Sequence, residues 1–381
     1  MRVLILDASY ENTLAIVRHL GKIKSVEISV VGHYRLSISF FSRFCKRKFI
    51  IENPNNNEGL FLEQLLNILK NEQYDLLIPV GYKTNKICVR NQDEIKKLTR
   101  LIVPSIDSFN IAINKVECCK LAEKLGLGFP ISWQPKSIAD INDIPINFPI
   151  VIKSPQEIGK SAVKFVRSSD NLKKELTKMI NLYKSENIQL PLMQELIVGT
   201  VYCFSAYYEN GVCKSYFMHK RIREFPINVG SSVCAESIYE EELLVIGKKL
   251  LDYLNWNGVA IIEFKKDERD GIYKLIEINP KFWSGIELAI VSGVNFPYFL
   301  IQNIKGEEII HNNKYKMNLR FQRIPYGELN HFFSKPLTFI HIIRDLFRSK
   351  NDIWFSDIMP NLLQIFIVPF HLFKRIMGKS S

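Results

Sequence analysis

The sequence predicts an α/β unit, a small doubly wound parallel sheet over roughly the first 110 residues, followed by an α+β unit. Three observations carry this. The chain opens as strand, helix and strand; its texture changes at Asn114; and two tight turns further on join β-branched runs into antiparallel hairpins.

Arg2 to Ala8 is an apolar run, Asn12 to Leu20 carries apolar residues at helical spacing, and Ser25 to Val31 is β-branched again. Tyr74 to Val80 and Leu101 to Pro104 supply further buried strands. No G-x-G-x-x-G follows the first strand: Asp7-Ala8-Ser9-Tyr10-Glu11-Asn12 stands there, so nothing recommends NAD or FAD binding. Asn114-Lys115 then opens an amphipathic helix to Leu125, closed by Gly126 and Gly128 before Pro130. Phe148 to Lys153 is a strand, Asn171 to Leu182 a charged helix and Leu192 to Ile197 a strand. Val201 to Tyr208 pairs with Cys213 to His219 across Glu209-Asn210-Gly211, and an open loop follows at Gly230-Ser231-Ser232. Glu240 to Leu254 is helical, and Gly258 to Lys265 and Tyr273 to Ile278 are strands joined by Asp267-Glu268-Arg269-Asp270-Gly271.

Composition narrows the function classes. With 381 residues, 47% hydrophobic and 24% charged, the chain is neither disordered nor fibrous. A net charge of +12 favours anionic partners. The apolar run before Asp7 is too brief for a signal peptide, which predicts a cytoplasmic protein, and the seven cysteines lack zinc-finger spacing and read as reduced thiols. Basic residues interleaved with exposed aromatics, the mark of a nucleic-acid surface, are not evident.

The sharpest constellation is Glu263, Glu277 and Asn279 on the last two strands. Period-two alternation puts Glu277 and Asn279 on one face, and Glu263 sits among Ile261, Ile262 and Phe264, where a carboxylate is costly without a cation. These are either magnesium ligands, which hard oxygen donors suit beside a nucleotide, or solvent-facing acids of an edge hairpin. Lys153 ends an apolar strand and Lys115 opens a helix, each able to face an anion or to stand in solvent. Gly159-Lys160-Ser161 imitates the tail of a phosphate-binding P-loop, but Ser154 occupies the position of its first glycine, which rejects that reading and leaves a lid over phosphates. Gln194-Glu195-Leu196-Ile197 runs toward Gly199 as a strand end whose backbone suits an adenine edge, and His219-Lys220-Arg221-Ile222-Arg223 is a basic run near the other cations.

In their order these motifs resemble the ATP-grasp superfamily, in particular its carboxylate-amine ligase branch with D-aspartate ligase-like and carbamoyl-phosphate-synthase-like enzymes, over about residues 1 to 325. Asn114-Lys115, Pro149-Ile150-Val151-Ile152-Lys153, Gln194-Glu195-Leu196-Ile197, Gly258 to Phe264 and Ile276-Glu277-Ile278-Asn279-Pro280-Lys281 carry the likeness. The resemblance implies a Rossmann-like preATP-grasp domain (1–112), a small subdomain with a phosphate lid (113–190), a large subdomain with the metal site (191–325) and a short helical, aromatic and basic extension (326–381). It also implies ATP and Mg²⁺, with Mn²⁺ as an alternative. Glu263, Glu277 and Asn279 would bind metal, and Lys115, Lys153, Ser161, Gln194, Glu195, Leu196 and Ile197 would bind ATP; Lys281 and Arg221 or Arg223 would sit near the transferred phosphoryl group. Three departures stand out: Lys281 replaces a common arginine, no acid follows Gly199, and the lid is poor in glycine.

The implied activity is ligation of a small-molecule carboxylate to an amine through an acyl phosphate, with release of ADP and phosphate. The alternatives are a non-catalytic ATP-binding module and a peripheral membrane enzyme acting on a lipid-linked precursor. For the latter, Trp354, Phe355, Phe366, Phe370, Phe373, Lys374, Arg375 and Lys379 in residues 350–379 would touch the membrane or else pack on the core. Leu362 to Phe373 is too interrupted to span a bilayer, and a homodimer is left open.

Overall fold

The computed structural model describes residues 1–136, 140, 144–156, 163–184, 190–228, 230–309 and 315–366. Its first unit is a five-stranded sheet of β1 (Arg2–Ile5), β2 (Glu27–Gly32), β3 (Cys45–Ile50), β4 (Leu76–Ile78) and β5 (Arg100–Leu101). The order is β3-β2-β1-β4-β5 and every pairing is parallel. Alternation along β1 explains the double winding. Val3 and Ile5 share a core with Ile16, Val17 and Leu20 of the helix Glu11–Leu20, while Leu4 and Leu6 pack with Phe61, Leu65 and Leu69 of the helix Glu58–Glu72 on the other side. Each such side chain contributes about 1.5–3 kcal/mol on burial. β3 was not anticipated, because Lys46, Arg47 and Lys48 hide its pattern; as an exposed edge it has no second face to bury.

A four-stranded antiparallel sheet follows, from β6 (Ser132–Trp133), β7 (Ile150–Lys153), β8 (Lys164–Val166) and β9 (Leu192–Glu195), in the order β6-β9-β7-β8. Leu172, Leu176 and Met179 of the helix Ser169–Lys184 cover Ile150, Ile152, Val166 and Met193. β9, expected in the large subdomain from residue 191, therefore belongs to this smaller sheet, since Met193 completes its core.

The third sheet has seven strands: β10 (Val201–Glu209), β11 (Val212–Phe225), β12 (Ser231–Ile238), β13 (Gly258–Lys266), β14 (Tyr273–Asn279), β15 (Arg320–Gln322) and β16 (Lys350–Asn351). They run β14-β13-β10-β11-β12-β15-β16, antiparallel except for the parallel β15–β16 pair. The β10–β11 hairpin turns on Asn210 and Gly211, whose φ angles of 47° and 81° match the twist of the strands. Ser231 and Ser232, expected in an open loop, instead begin β12, a strand whose small residues gave no β signal but whose interior is buried.

The extension after residue 325 does not stand apart as far as Phe366. β16 joins the large sheet, and buried Arg18 of the first unit holds Asp357 at 3.0 Å and Asn361 at 2.8 Å. Phe370, Phe373, Lys374, Arg375 and Lys379 lie outside the described residues. Among the described residues no helix is long and apolar enough to cross a membrane. All seven cysteines are free thiols.

Candidate active site

The small and large sheets meet around the ends of β7 and β14. The Asn114 side chain accepts from the backbone N–H groups of Val116 and Glu117, capping the helix Lys115–Lys124, and the Lys115 N–H donates to the Pro155 carbonyl at 2.8 Å. That cap aims Lys115 at β14, where its Nζ stands 3.5 Å from Glu277 Oε2. Lys153 comes from the end of β7, and its charge is felt by both Lys115 and Glu277. Loss of solvent, reinforced by Lys115, lowers the Lys153 ammonium to about 8.

Glu263 and Glu277 are cross-strand partners on β13 and β14. Two carboxylates so placed repel, and their protonation is pulled apart. Burial raises both, but Lys115, the Asn279 amide donating to Oε1 at 2.9 Å, Lys153 and Lys281 together hold Glu277 well below the usual carboxylate range. Glu263 is raised by burial and by Glu277 in spite of its ion pair with Arg221. Two carboxylates and an amide form the hard-oxygen set that fits Mg²⁺ beside a nucleotide. Among the described residues there is no group of three or more His, Cys, Asp and Glu side chains that could hold a metal ion.

The basic run separates into two roles. Arg221 turns into the site, pairing with Glu263 and reaching Glu224 at 3.6 Å and the Gly230 carbonyl at 3.1 Å. Arg223 is not brought there. It is buried against Glu328 and Asp345, both at 2.6 Å, because the β11–β12 register shifts between residues 221 and 223 and again after 223. Expected near the phosphoryl group, Arg223 instead ties β11 to the carboxy-terminal segment.

Glu195 and Gln194 also differ from a free adenine edge. Glu195 accepts from the Ile131 N–H at 2.9 Å and pairs with Arg269 at 2.7 Å, and Gln194 is buried with Nε2 donating to Ser132 Oγ at 2.8 Å. Their side chains brace the connection, leaving the backbone of Leu196 and Ile197 as the edge. The Leu196 N–H is itself engaged by the Pro149 carbonyl at 3.3 Å. Gly199 is required there, at φ 156°, because a Cβ would stand 1.9 Å from the Lys266 carbonyl oxygen. Ser161 lies outside the described residues. Lys281 reaches the first unit, its Nζ 5.7 Å from the centre of the Tyr82 ring.

Sequence reasoning missed Lys265 and Glu224. Lys265 Nζ donates to the Ile197 carbonyl at 3.3 Å, and burial lowers its ammonium while Glu224 raises it. The signal was present in the alternation of β13, since Lys265 follows Glu263 by two positions. Lys115, Lys153, Arg221, Lys265 and Lys281 outnumber Glu224, Glu263 and Glu277, so the cleft is net cationic and suited to a polyphosphate.

Comparison with known proteins gives concordant findings. Residues 221–325 match the family described as ATP-grasp in the biosynthetic pathway with Ter operon. The chain is 24% identical over 275 residues to D-aspartate ligase of Enterococcus faecium, covering 65% of this chain and 64% of that one. It is 22% identical over 232 residues to the carbamoyl phosphate synthase large chain of Archaeoglobus fulgidus, covering 59% of this chain and 21% of the other. The chain thus spans less than two thirds of either relative. Its fold superposes on biotin carboxylase from Campylobacter jejuni, solved as a β,γ-ATP complex, with a TM-score of 0.69 and 13% identity over 84% of this chain and 74% of that one.

Proposed function

We propose, from the premise that the chain belongs to the ATP-grasp superfamily, that it is an ATP-dependent ligase joining a small-molecule carboxylate to an amine. The observation that carries this is the meeting of Lys115, Lys153 and Lys265 with the Glu263–Glu277 pair between the two sheets. The β,γ-ATP complex of the similar biotin carboxylase and the name of the similar D-aspartate ligase support the same reading.

In this mechanism the substrate carboxylate oxygen attacks the γ-phosphorus and the bond to the β-phosphate oxygen breaks, leaving ADP and an acyl phosphate. The amine nitrogen then adds to the acyl carbon and phosphate departs, the amine proton passing to solvent or phosphate. Lys115 and Lys153 hold phosphate oxygens, the Leu196–Ile197 backbone receives the base, and Arg221 and Lys281 offset charge on the transferring group. Glu263, Glu277 and Asn279 would hold magnesium, which when bound would supply positive charge to offset that of the phosphates. Lys281 does so as a point charge, without the bidentate fork of an arginine.

Release of ADP from MgATP in the presence of pooled carboxylates and amines tests the reading, with Glu277→Gln as control. ADP and phosphate that require the pool, and vanish in the variant at unchanged fold, are the expected result. AMP and pyrophosphate, or full turnover by Glu277→Gln, would overturn it.

A further inference from the structure

The carboxy-terminal segment contains a helix turned inside out. In Phe339–Leu346, Asp345 is 1% exposed and points into the protein, where Arg223 and Arg320 hold it. Apart from half-buried Ile342, the apolar positions are exposed: Phe339 is 52% exposed, Ile340 75%, Ile343 38% and Phe347, just past the helix, 85%. The short helix Leu329–Ser334 adds Phe333 at 55%, and the turn Pro336–Thr338 adds Leu337 at 90%. Residues 340, 343 and 347 recur at the spacing of one helical face, so these side chains form a continuous stripe, and Phe332 bridges Phe333 and Phe339 at ring distances of 5.4 and 5.6 Å. An ordinary surface helix buries such a stripe. This one buries its only acid and leaves the stripe exposed.

The charge around the stripe selects its occupant. Lys335, Arg344, Arg348 and Lys350 are exposed, while Asp345, the sole acid between residues 329 and 350, is buried and paired. Exposed aromatic and aliphatic side chains ringed by cations, with no exposed acid among them, suit the boundary of an anionic bilayer: rings and aliphatic chains enter the acyl edge while lysine and arginine heads remain among phosphates. We propose that the Phe333–Phe347 face docks on an anionic lipid surface. Such docking would confine the ligase to acceptors presented at a membrane. The binding itself does not depend on the ligase reading, and the experiment below measures no turnover.

The test is cosedimentation of the full chain with vesicles of phosphatidylcholine alone or with about one third phosphatidylglycerol, at low and high salt. Wild type is expected to pellet with the anionic vesicles, less so at high salt, and to remain in solution with phosphatidylcholine alone. Ile340→Glu, at an exposed position, should keep the wild-type unfolding temperature and bind about tenfold or more weakly. Arg344→Gln/Arg348→Gln should bind about thirtyfold more weakly, losing the contribution of two surface cations. Wild type left in solution at millimolar anionic lipid, or Ile340→Glu binding like wild type, overturns the proposal. Concentration-dependent self-association abolished by Ile340→Glu, without vesicle binding, would likewise overturn it and give the face to a second copy of the chain.

Discussion

Arg221 and Arg223 are two positions apart, and the structure separates them so completely that substitution should give opposite phenotypes. Arg223 has an 8% exposed side chain held by Glu328 and Asp345, whose own side chains are 2% and 1% exposed. Removing one member of a buried ion-pair network costs about 3–5 kcal/mol, because the remaining charges are stranded. Here the cost is tempered: Asp345 keeps Arg320 at 2.9 Å, and Glu328 keeps a hydrogen bond from Gln322 at 3.1 Å. Arg223→Met should therefore destabilise by about 2–3 kcal/mol, a fall of roughly 5 °C in the unfolding temperature. Its ADP formation per folded molecule should remain near wild type. Arg221→Met should lose most activity, since its guanidinium faces Glu263 in the cleft. Thermal unfolding followed by tryptophan fluorescence, with turnover measured well below the transition, reads both effects. An Arg223→Met protein as stable as wild type but inactive would refute the assignment and return Arg223 to the phosphoryl group.

Lys153→Met should weaken binding of a non-hydrolysable ATP analogue by about tenfold or more, by loss of a charge-assisted contact. With the free ammonium lowered to about 8, phosphate binding favours its charged form, so binding between about pH 8 and 9 takes up a proton and affinity falls as pH rises through that range. Calorimetry in two buffers of different ionisation enthalpy should reveal that uptake in wild type and not in Lys153→Met; equal heats for wild type would remove Lys153 from the phosphates. Gly199→Ala, which sets a methyl group 1.9 Å from the Lys266 carbonyl oxygen, should cost about 2 kcal/mol in urea unfolding and weaken analogue binding through the displaced Leu196–Ile197 edge. Unchanged stability would mean that the β9–β10 connection yields freely.

By itself the sequence determined what local periodicity and turn chemistry can carry. The parallel opening, the Asn114 cap, the Asn210-Gly211 turn and the strands bearing Glu263, Glu277 and Asn279 are legible because each is set within a few residues by the pleat, the helical turn or a permitted φ angle. Lysine-rich β3 and small-residue β12 were hidden, since both draw their strand character from neighbours that the local pattern does not contain. Only the tertiary structure decided the pairings across distance. It set Glu277 against Lys115, joined Lys265 to the Ile197 carbonyl, sent Arg221 to Glu263 and Arg223 to Glu328, and turned Asp345 inward so that an apolar stripe faced out. The physical reason is the same in each case. A charge's partner is chosen by which desolvated group stands opposite when the sheets close, and a register shift of one residue on β11 is enough to change the choice.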